Sequence, residues 1–160
     1  TTRNTMSGGI KLLHENQSQK ELLMQNLDLL PNFINETVRC VSPVIHMRRT
    51  SLEETEINGQ RIGPYEKISL WYGAANRDPD IFENPDQFNI LRENADKHLA
   101  FGIGRHTCLG KPVALMQLKE FYSQFLTRFK DFEMNGDWKV APNNFVHAIQ
   151  EMPIKFTPIK

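Results

Sequence analysis

Cysteine is scarce in this sequence: Cys40 and Cys108 are the two present among 160 residues. At most one disulfide is available, and a reducing cytoplasm is the natural compartment. Net charge is absent as well, since Lys and Arg total 19 and Asp and Glu also total 19. That balance excludes bulk attraction to nucleic acid or to an anionic membrane. Neither a run of about 18 apolar residues, as a membrane-crossing helix requires, nor a signal-like start occurs. Internal repeats and low-complexity tracts are missing too, so the organisation is continuous. What is there is 39% hydrophobic, enough for the core of one domain at this length.

Cys108 stands out within Phe101-Gly102-Ile103-Gly104-Arg105-His106-Thr107-Cys108-Leu109-Gly110, directly before a long apolar stretch of helical character. The positive end of a helix dipole and free backbone N–H groups favour a thiolate at such a position. Gly102, Gly104 and Gly110 let the backbone turn tightly and approach something large and flat without Cβ clashes. A single cysteine so presented suits the axial thiolate of a heme iron, where its electron density favours O–O cleavage. The plainer alternative is a buried structural cysteine before an ordinary helix. The spacing of Phe, Gly, Gly, His, Cys and Gly argues for the heme. Cys40 has no such setting and is expected to pack as a small apolar side chain.

Hydrophobic spacing predicts an α+β chain that is mainly helical. Met6, Ile10, Leu12 and Leu13 mark a helix over about 1–15, weakened by Gly8-Gly9. Ser18 is expected to cap a second helix reaching about Leu27. Pro31 fits the first turn of a third, which runs to about Val41 with Phe33, Ile34 and Val38 on one face. Ser42-Pro43 ends it. Strands are expected over 44–50, 55–57 and 67–72, with Asn58-Gly59 as a hairpin turn. Residues 74–100 are rich in Asp, Asn and Pro, with a short helix expected near Pro79 to Phe82; irregular stretches of this length tend to be functional. The helix after Cys108 should run to about Phe129 and, being apolar on most sides, be largely buried. Short strands near Phe132, 145–149 and 154–156 complete the reading.

Phe101 to Gly110 resembles the heme-binding loop of the cytochrome P-450 superfamily, the heme-thiolate monooxygenases, and the resemblance covers essentially the whole chain. Glu36-Thr37-Val38-Arg39 resembles the family's Glu-x-x-Arg signature on its K helix. Asn76-Arg77-Asp78-Pro79 through Asp86-Gln87-Phe88 and Arg92 is similar to the meander before the heme loop. Thr1-Thr2-Arg3-Asn4 resembles the tail of the oxygen-activation motif, whose preceding Ala-Gly-x-Asp/Glu is absent here. Residues 1–160 thus resemble the C-terminal portion of the fold: the end of the distal helix, the J and K helices, a small β-sheet, the meander, the cysteine loop and the proximal L helix. They are expected to be part of one larger domain and not to hold heme stably alone. On that reading, the missing apolar run says little about a membrane anchor.

The resemblance implies iron protoporphyrin IX (heme b), with Cys108 as axial ligand of its iron and Phe101, Gly102 and Gly110 around it. His106 takes the position whose imidazole bonds a heme propionate; an ordinary loop histidine is the alternative. Arg49, ten residues before Gly59, is the second propionate candidate, with Arg48 on the opposite strand face as its alternative. Glu36 and Arg39, three apart on one helix face, are expected to join Arg92 in a buried network serving folding and heme retention. Thr1 takes the place of the hydroxyl that helps deliver protons to dioxygen, with Thr2 as fallback and an ordinary helix threonine as the plainer reading. Val44 and Ile45 resemble the substrate-recognition segment beside the heme, and Phe145 and Val146 the turn that enters the pocket. Plain core packing is the alternative for any two of these four.

The activity implied is insertion of one oxygen atom of O2 into a C–H bond of a small lipophilic substrate. His46-Met47-Arg48-Arg49-Thr50 and Leu70-Trp71-Tyr72-Gly73 resemble soluble bacterial members, and more narrowly the branch that oxidises terminal carbons of alkanes and alkyl chains. Sterol side chains and terpenoids are the next candidates. A ferredoxin with its reductase is the expected electron donor; Lys97, Arg105 and Lys111 could form its docking patch, or be scattered surface charges. His14, His46, His98 and His147 show no metal-site pattern. The rival readings are a non-catalytic heme-thiolate sensor or electron carrier, and an inactive fragment.

Overall fold

The computed structural model describes residues 1–159. Helix α1 (Thr2–Glu15) and helix α2 (Gln17–Gln25) are separated by Asn16 alone. The backbone N–H and side-chain Nδ2 of Asn16 both donate to the Leu12 carbonyl, at 3.0 and 2.8 Å. Asn16, not Ser18, is therefore the capping residue, because the same turn that stops α1 starts α2 ahead of Ser18. Helix α3 (Leu30–Val41) carries Pro31 in its first turn, where a missing N–H costs nothing. It ends at Ser42, which is left-handed at φ 40° and donates its hydroxyl to the Arg39 carbonyl at 2.8 Å.

Strand β1 (His46–Thr50) starts two residues later than expected and pairs antiparallel with β4 (Lys67–Trp71). Between them β2 (Thr55–Ile57) and β3 (Gln60–Ile62) form a ribbon. Asn58 and Gly59, at φ 48° and 76°, supply the two positive φ angles its turn demands. The short helix α4 (Tyr72–Ala75) takes Tyr72 away from the expected strand. No helix forms at Pro79 to Phe82: Phe82 N–H reaches the Asp78 carbonyl at 2.8 Å, but Asn84 (φ 45°) and Pro85 prevent a second turn.

Helix α5 (Lys111–Arg128) runs into β5 (Phe129–Met134), which pairs antiparallel with β8 (Ile154–Pro158). A further ribbon joins β6 (Lys139–Ala141), which the sequence reading did not place, to β7 (Ala148–Glu151). The strand expected over 145–149 is displaced because the Asn143 carboxamide accepts the N–H groups of Phe145 and Val146 at 2.7 and 3.1 Å, holding a turn there. Val146 makes only a single bridge, to Val44.

The core lies where α1, α3 and α5 meet. Ile10 and Leu13, Phe33, Ile34 and Val38, and Leu118, Tyr122 and Leu126 form it, with Phe88, Ile90 and Phe132 closing the ends. Burying each such side chain contributes about 1.5–3 kcal/mol. The expectation of a largely buried α5 fails: Val113 and Met116 are 53% and 64% exposed, because α1, α3 and β5 cover one side of the helix.

Candidate functional site

The loop before α5 is closed on itself by its backbone. Cys108 N–H donates to the Phe101 carbonyl at 2.7 Å and Gly102 N–H to that of Leu99 at 2.8 Å. Thr107 bonds the Gly104 carbonyl through its N–H at 3.1 Å and its hydroxyl at 2.9 Å. Gly102 sits at φ 69°, and a Cβ there would lie 3.1 Å from the His106 carbonyl oxygen, so both conformation and space call for glycine. The loop presents Cys108 as a free, exposed thiol just ahead of α5. Cys40 is also free, so the two cysteines do not pair.

Cys108, Phe101, Gly102, His106 and Gly110 line a cavity of about 310 Å³. The start of α1 brings Thr1, Thr2 and Thr5 to the same cavity, and Val44 enters from the segment after α3. A neighbouring cavity of about 420 Å³ shares Tyr72, Gly102 and His106 with it and adds Arg49. Arg48 is exposed on the other face of β1, so Arg49 is the strand arginine turned toward the site. Ile45, Phe145 and Val146 line neither cavity. Their backbones instead fix the segment carrying Val44: Ile45 N–H donates to Phe145 O at 2.9 Å, Tyr72 N–H to Ile45 O at 3.2 Å, and Val146 bridges Val44.

Sequence reasoning missed Met47, Thr5, Ala114 and Leu118, which also line the first cavity. Each had a signal. Met47 is two residues from Arg49 on one strand face, Thr5 one turn beyond Thr1, and Ala114 and Leu118 continue the i, i+4 row from Gly110.

Behind the cavity Glu36, Arg39 and Arg92 form one buried network. Arg39 grips Glu36 through Nε at 2.7 Å and Nη2 at 2.8 Å, and Arg92 Nε reaches Glu36 Oε1 at 3.1 Å. The guanidinium groups spend their remaining N–H bonds on carbonyls of the irregular stretch. Arg39 bonds Asn76 at 2.8 Å, Pro85 at 2.7 Å and Gln87 at 3.2 Å. Arg92 bonds Glu83 at 2.6 Å, and Asn84 and Gln87 at 3.1 Å each. Asn76, fully buried, ties this network to the site: its side chain donates to Ser42 Oγ at 2.8 Å and accepts Leu99 N–H at 2.6 Å. Cys40 packs against the same pair, with Arg39 Nη2 at 3.3 Å from its Sγ, rather than among apolar groups alone. Burial, together with the Glu36 carboxylate, pushes its thiol up to about 11.

His98, buried ten residues before Cys108, is pulled the other way. Burial, and then the charge of Lys111, bring its imidazole down to about 4 from an ordinary 6.5. The unfolded chain therefore binds this proton more readily than the folded one. Its stabilising effect is complete above pH 6.5 and is lost as pH falls toward 4, by about 3 kcal/mol in all. Urea unfolding midpoints at pH 7 and pH 5 should differ accordingly, and His98→Leu should flatten the difference.

Among the described residues no cluster of three or more His, Cys, Asp or Glu side chains could hold a metal ion, and no helix is long and apolar enough to cross a membrane. An iron here would take one sulfur from the protein and its other ligands from a macrocycle. The residues present fit one: small and apolar walls at Val38, Val44, Ala114 and Leu118, a lone thiol, and two side chains suited to carboxylates, His106 and Arg49. Fold and site together suit a heme-binding protein. A family model, cytochrome P-450, matches residues 11–157, and the chain belongs to that family. Membership implies a heme cofactor.

The chain is 38% identical over 158 residues to linalool 8-monooxygenase of Pseudomonas putida, across 99% of this chain and 39% of that protein. It is 40% identical over 160 residues to steroid C26-monooxygenase of Mycolicibacterium smegmatis, across 99% of this chain and 40% of that protein. A solved cytochrome P-450 of Novosphingobium aromaticivorans superposes with a TM-score of 0.92 at 40% identity, over 97% of this chain and 39% of that one. The chain thus spans about two fifths of the length of the relatives it matches.

Proposed function

We propose that residues 1–160 are the heme-binding, C-terminal part of a monooxygenase that inserts one atom of O2 into a C–H bond of a small lipophilic substrate. The observation that carries this reading is that Cys108, His106 and Thr1 line one otherwise largely apolar cavity. Heme b, when bound, supplies the activation of dioxygen. Cys108 would hold the heme iron through its thiolate, while His106 and Arg49 would donate hydrogen bonds to the carboxylates of the heme. Phe101, Gly102 and Gly110 would shape the loop that holds it. Thr1 would hold a proton at its hydroxyl for delivery to dioxygen, and Thr2, also lining the cavity, stands next to it. Val44 and Met47 exclude water and orient an apolar substrate; Ile45, Phe145 and Val146 belong to the same recognition segments. Glu36, Arg39 and Arg92 serve folding and heme retention.

The finer reading is oxidation of a terminal carbon of an alkane or alkyl chain, with sterol side chains and terpenoids next. The names of the linalool and steroid relatives support a lipophilic substrate of this kind. Electrons come from a ferredoxin and its reductase, in a reducing cytoplasm consistent with two free cysteines.

The deciding experiment is the reduced, carbon-monoxide-bound spectrum of the intact heme-loaded protein. A strongly red-shifted Soret band is the expected result, and its absence would overturn the reading. Arg49→Ala and His106→Ala each remove a charge-assisted bond of about 1.5–3 kcal/mol, so heme should escape to a scavenger roughly 10- to 100-fold faster. Residues 1–160 expressed alone should lose heme faster still.

A further inference from the structure

Gly8-Gly9 lies in the middle of α1, where two other helices press against it. A Cβ at Gly8 would stand 2.6 Å from Val41 Cγ2, and one at Gly9 2.0 Å from the Tyr122 hydroxyl oxygen. The glycine pair is thus a notch, and Tyr122 of α5, fully buried, reaches through it to the α1 backbone. Its Oη donates toward the Thr5 carbonyl at 2.9 Å and the Met6 carbonyl at 3.0 Å. A side-chain group inserted into a helical ladder is one of the few causes that fix or bend a helix locally.

The bonds continue toward the site. Thr5 donates to the Thr1 carbonyl through its N–H at 2.9 Å and its hydroxyl at 3.2 Å. At the other end, α5 begins three residues after Cys108. An unbroken path therefore links the helix that follows Cys108 to the residue at the start of α1. Phenylalanine would fill the space of Tyr122 and keep the edge-on packing against Phe33 at 4.7 Å, so packing alone does not account for the hydroxyl.

We propose that Tyr122 is a positioning residue for oxygen activation: its hydroxyl, seated in the Gly9 notch, fixes the start of α1 and hence Thr1 relative to Cys108. The proposal rests on the reading of Thr1 as the proton-delivering hydroxyl. An error of about 1 Å in such a group costs on the order of 100-fold in its step. Protons that arrive late leave reduced oxygen to depart as peroxide, two electrons and two protons per molecule, instead of entering product.

Tyr122→Phe in the intact heme-loaded protein is the test. The carbon-monoxide band should be unchanged, which shows that Cys108 ligation and the fold survive. Backbone amides of residues 5–9 should exchange hydrogen about tenfold faster, and the share of reducing equivalents lost as peroxide should rise several-fold. Thr1→Val should raise that share alone, and Tyr122→Phe should add nothing to it. Thr5→Val, which cuts the last side-chain link but spares the clamp, should raise the peroxide share without faster exchange at Gly9. It also serves if Tyr122→Phe fails to fold. Unchanged exchange and peroxide share in Tyr122→Phe, or effects of Tyr122→Phe and Thr1→Val that multiply, would overturn the proposal. A peroxide share unmoved by Thr1→Val overturns the reading of Thr1 and takes the proposal with it; the exchange data tell the two failures apart.

Discussion

On the proposed function, Cys108→Ser in the intact heme-loaded protein is expected to abolish the red-shifted Soret band of the reduced carbon-monoxide form and to reduce oxygenation to background. The substitution changes one atom. Serine accepts the same backbone conformation, so the bond from residue 108 N–H to the Phe101 carbonyl at 2.7 Å is kept and the loop stays closed. What disappears is the sulfur that, on the proposed function, gives electron density to the heme iron. Thermal stability of the protein without heme should change little, which separates ligation from folding. Cys40→Ser is the control: that thiol faces Arg39 and Glu36 behind the cavity, and its replacement should leave the band in place. Persistence of the band and of turnover in Cys108→Ser would remove Cys108 from its assigned role.

The second large effect is expected at Glu36. Its two carboxylate oxygens serve two buried guanidinium groups and the Asn89 N–H at 3.0 Å. Glu36→Ala leaves Arg39 and Arg92 charged, buried and short of a counter-ion, which costs about 3–5 kcal/mol. Glu36→Gln keeps the shape and an acceptor and should cost less. The contrast is with surface pairs such as Lys139 with Glu151, both exposed, where removal of one partner should cost under about 1 kcal/mol. Denaturant midpoints and the yield of heme-loaded protein measure both. A Glu36→Ala protein as stable as the parent would show that the network contributes nothing to the fold.

Helices with clear apolar rows and strands with clear turns were legible in the sequence, because both signals are local. Phe33, Ile34 and Val38 mark one face of α3, and Asn58-Gly59 dictates the β2–β3 turn. Errors arose where a side chain competes with the backbone. Asn16 took the start of α2 from Ser18, and Asn143 moved β7 along the chain. Apolar residues on most sides of α5 predict a largely buried helix, but periodicity reports only which residues could be buried, not whether neighbours exist to cover them. In the site, the cysteine loop was visible because its glycines and thiol are fixed by backbone geometry within ten residues. Asn76 and Tyr122 were not, since their partners lie 23 to 117 residues away and nothing near them in sequence announces the contact.

The meander is held by its own main chain: Arg39 and Arg92 bond the carbonyl oxygens of residues 76, 83, 84, 85 and 87. Every amino-acid type carries that oxygen. A substitution at Glu83 or Gln87 therefore leaves the anchorage untouched, whereas the two arginines and their shared carboxylate have no such latitude. Natural variation in this stretch should be narrow in length, because an insertion moves oxygens that a substitution leaves where they are.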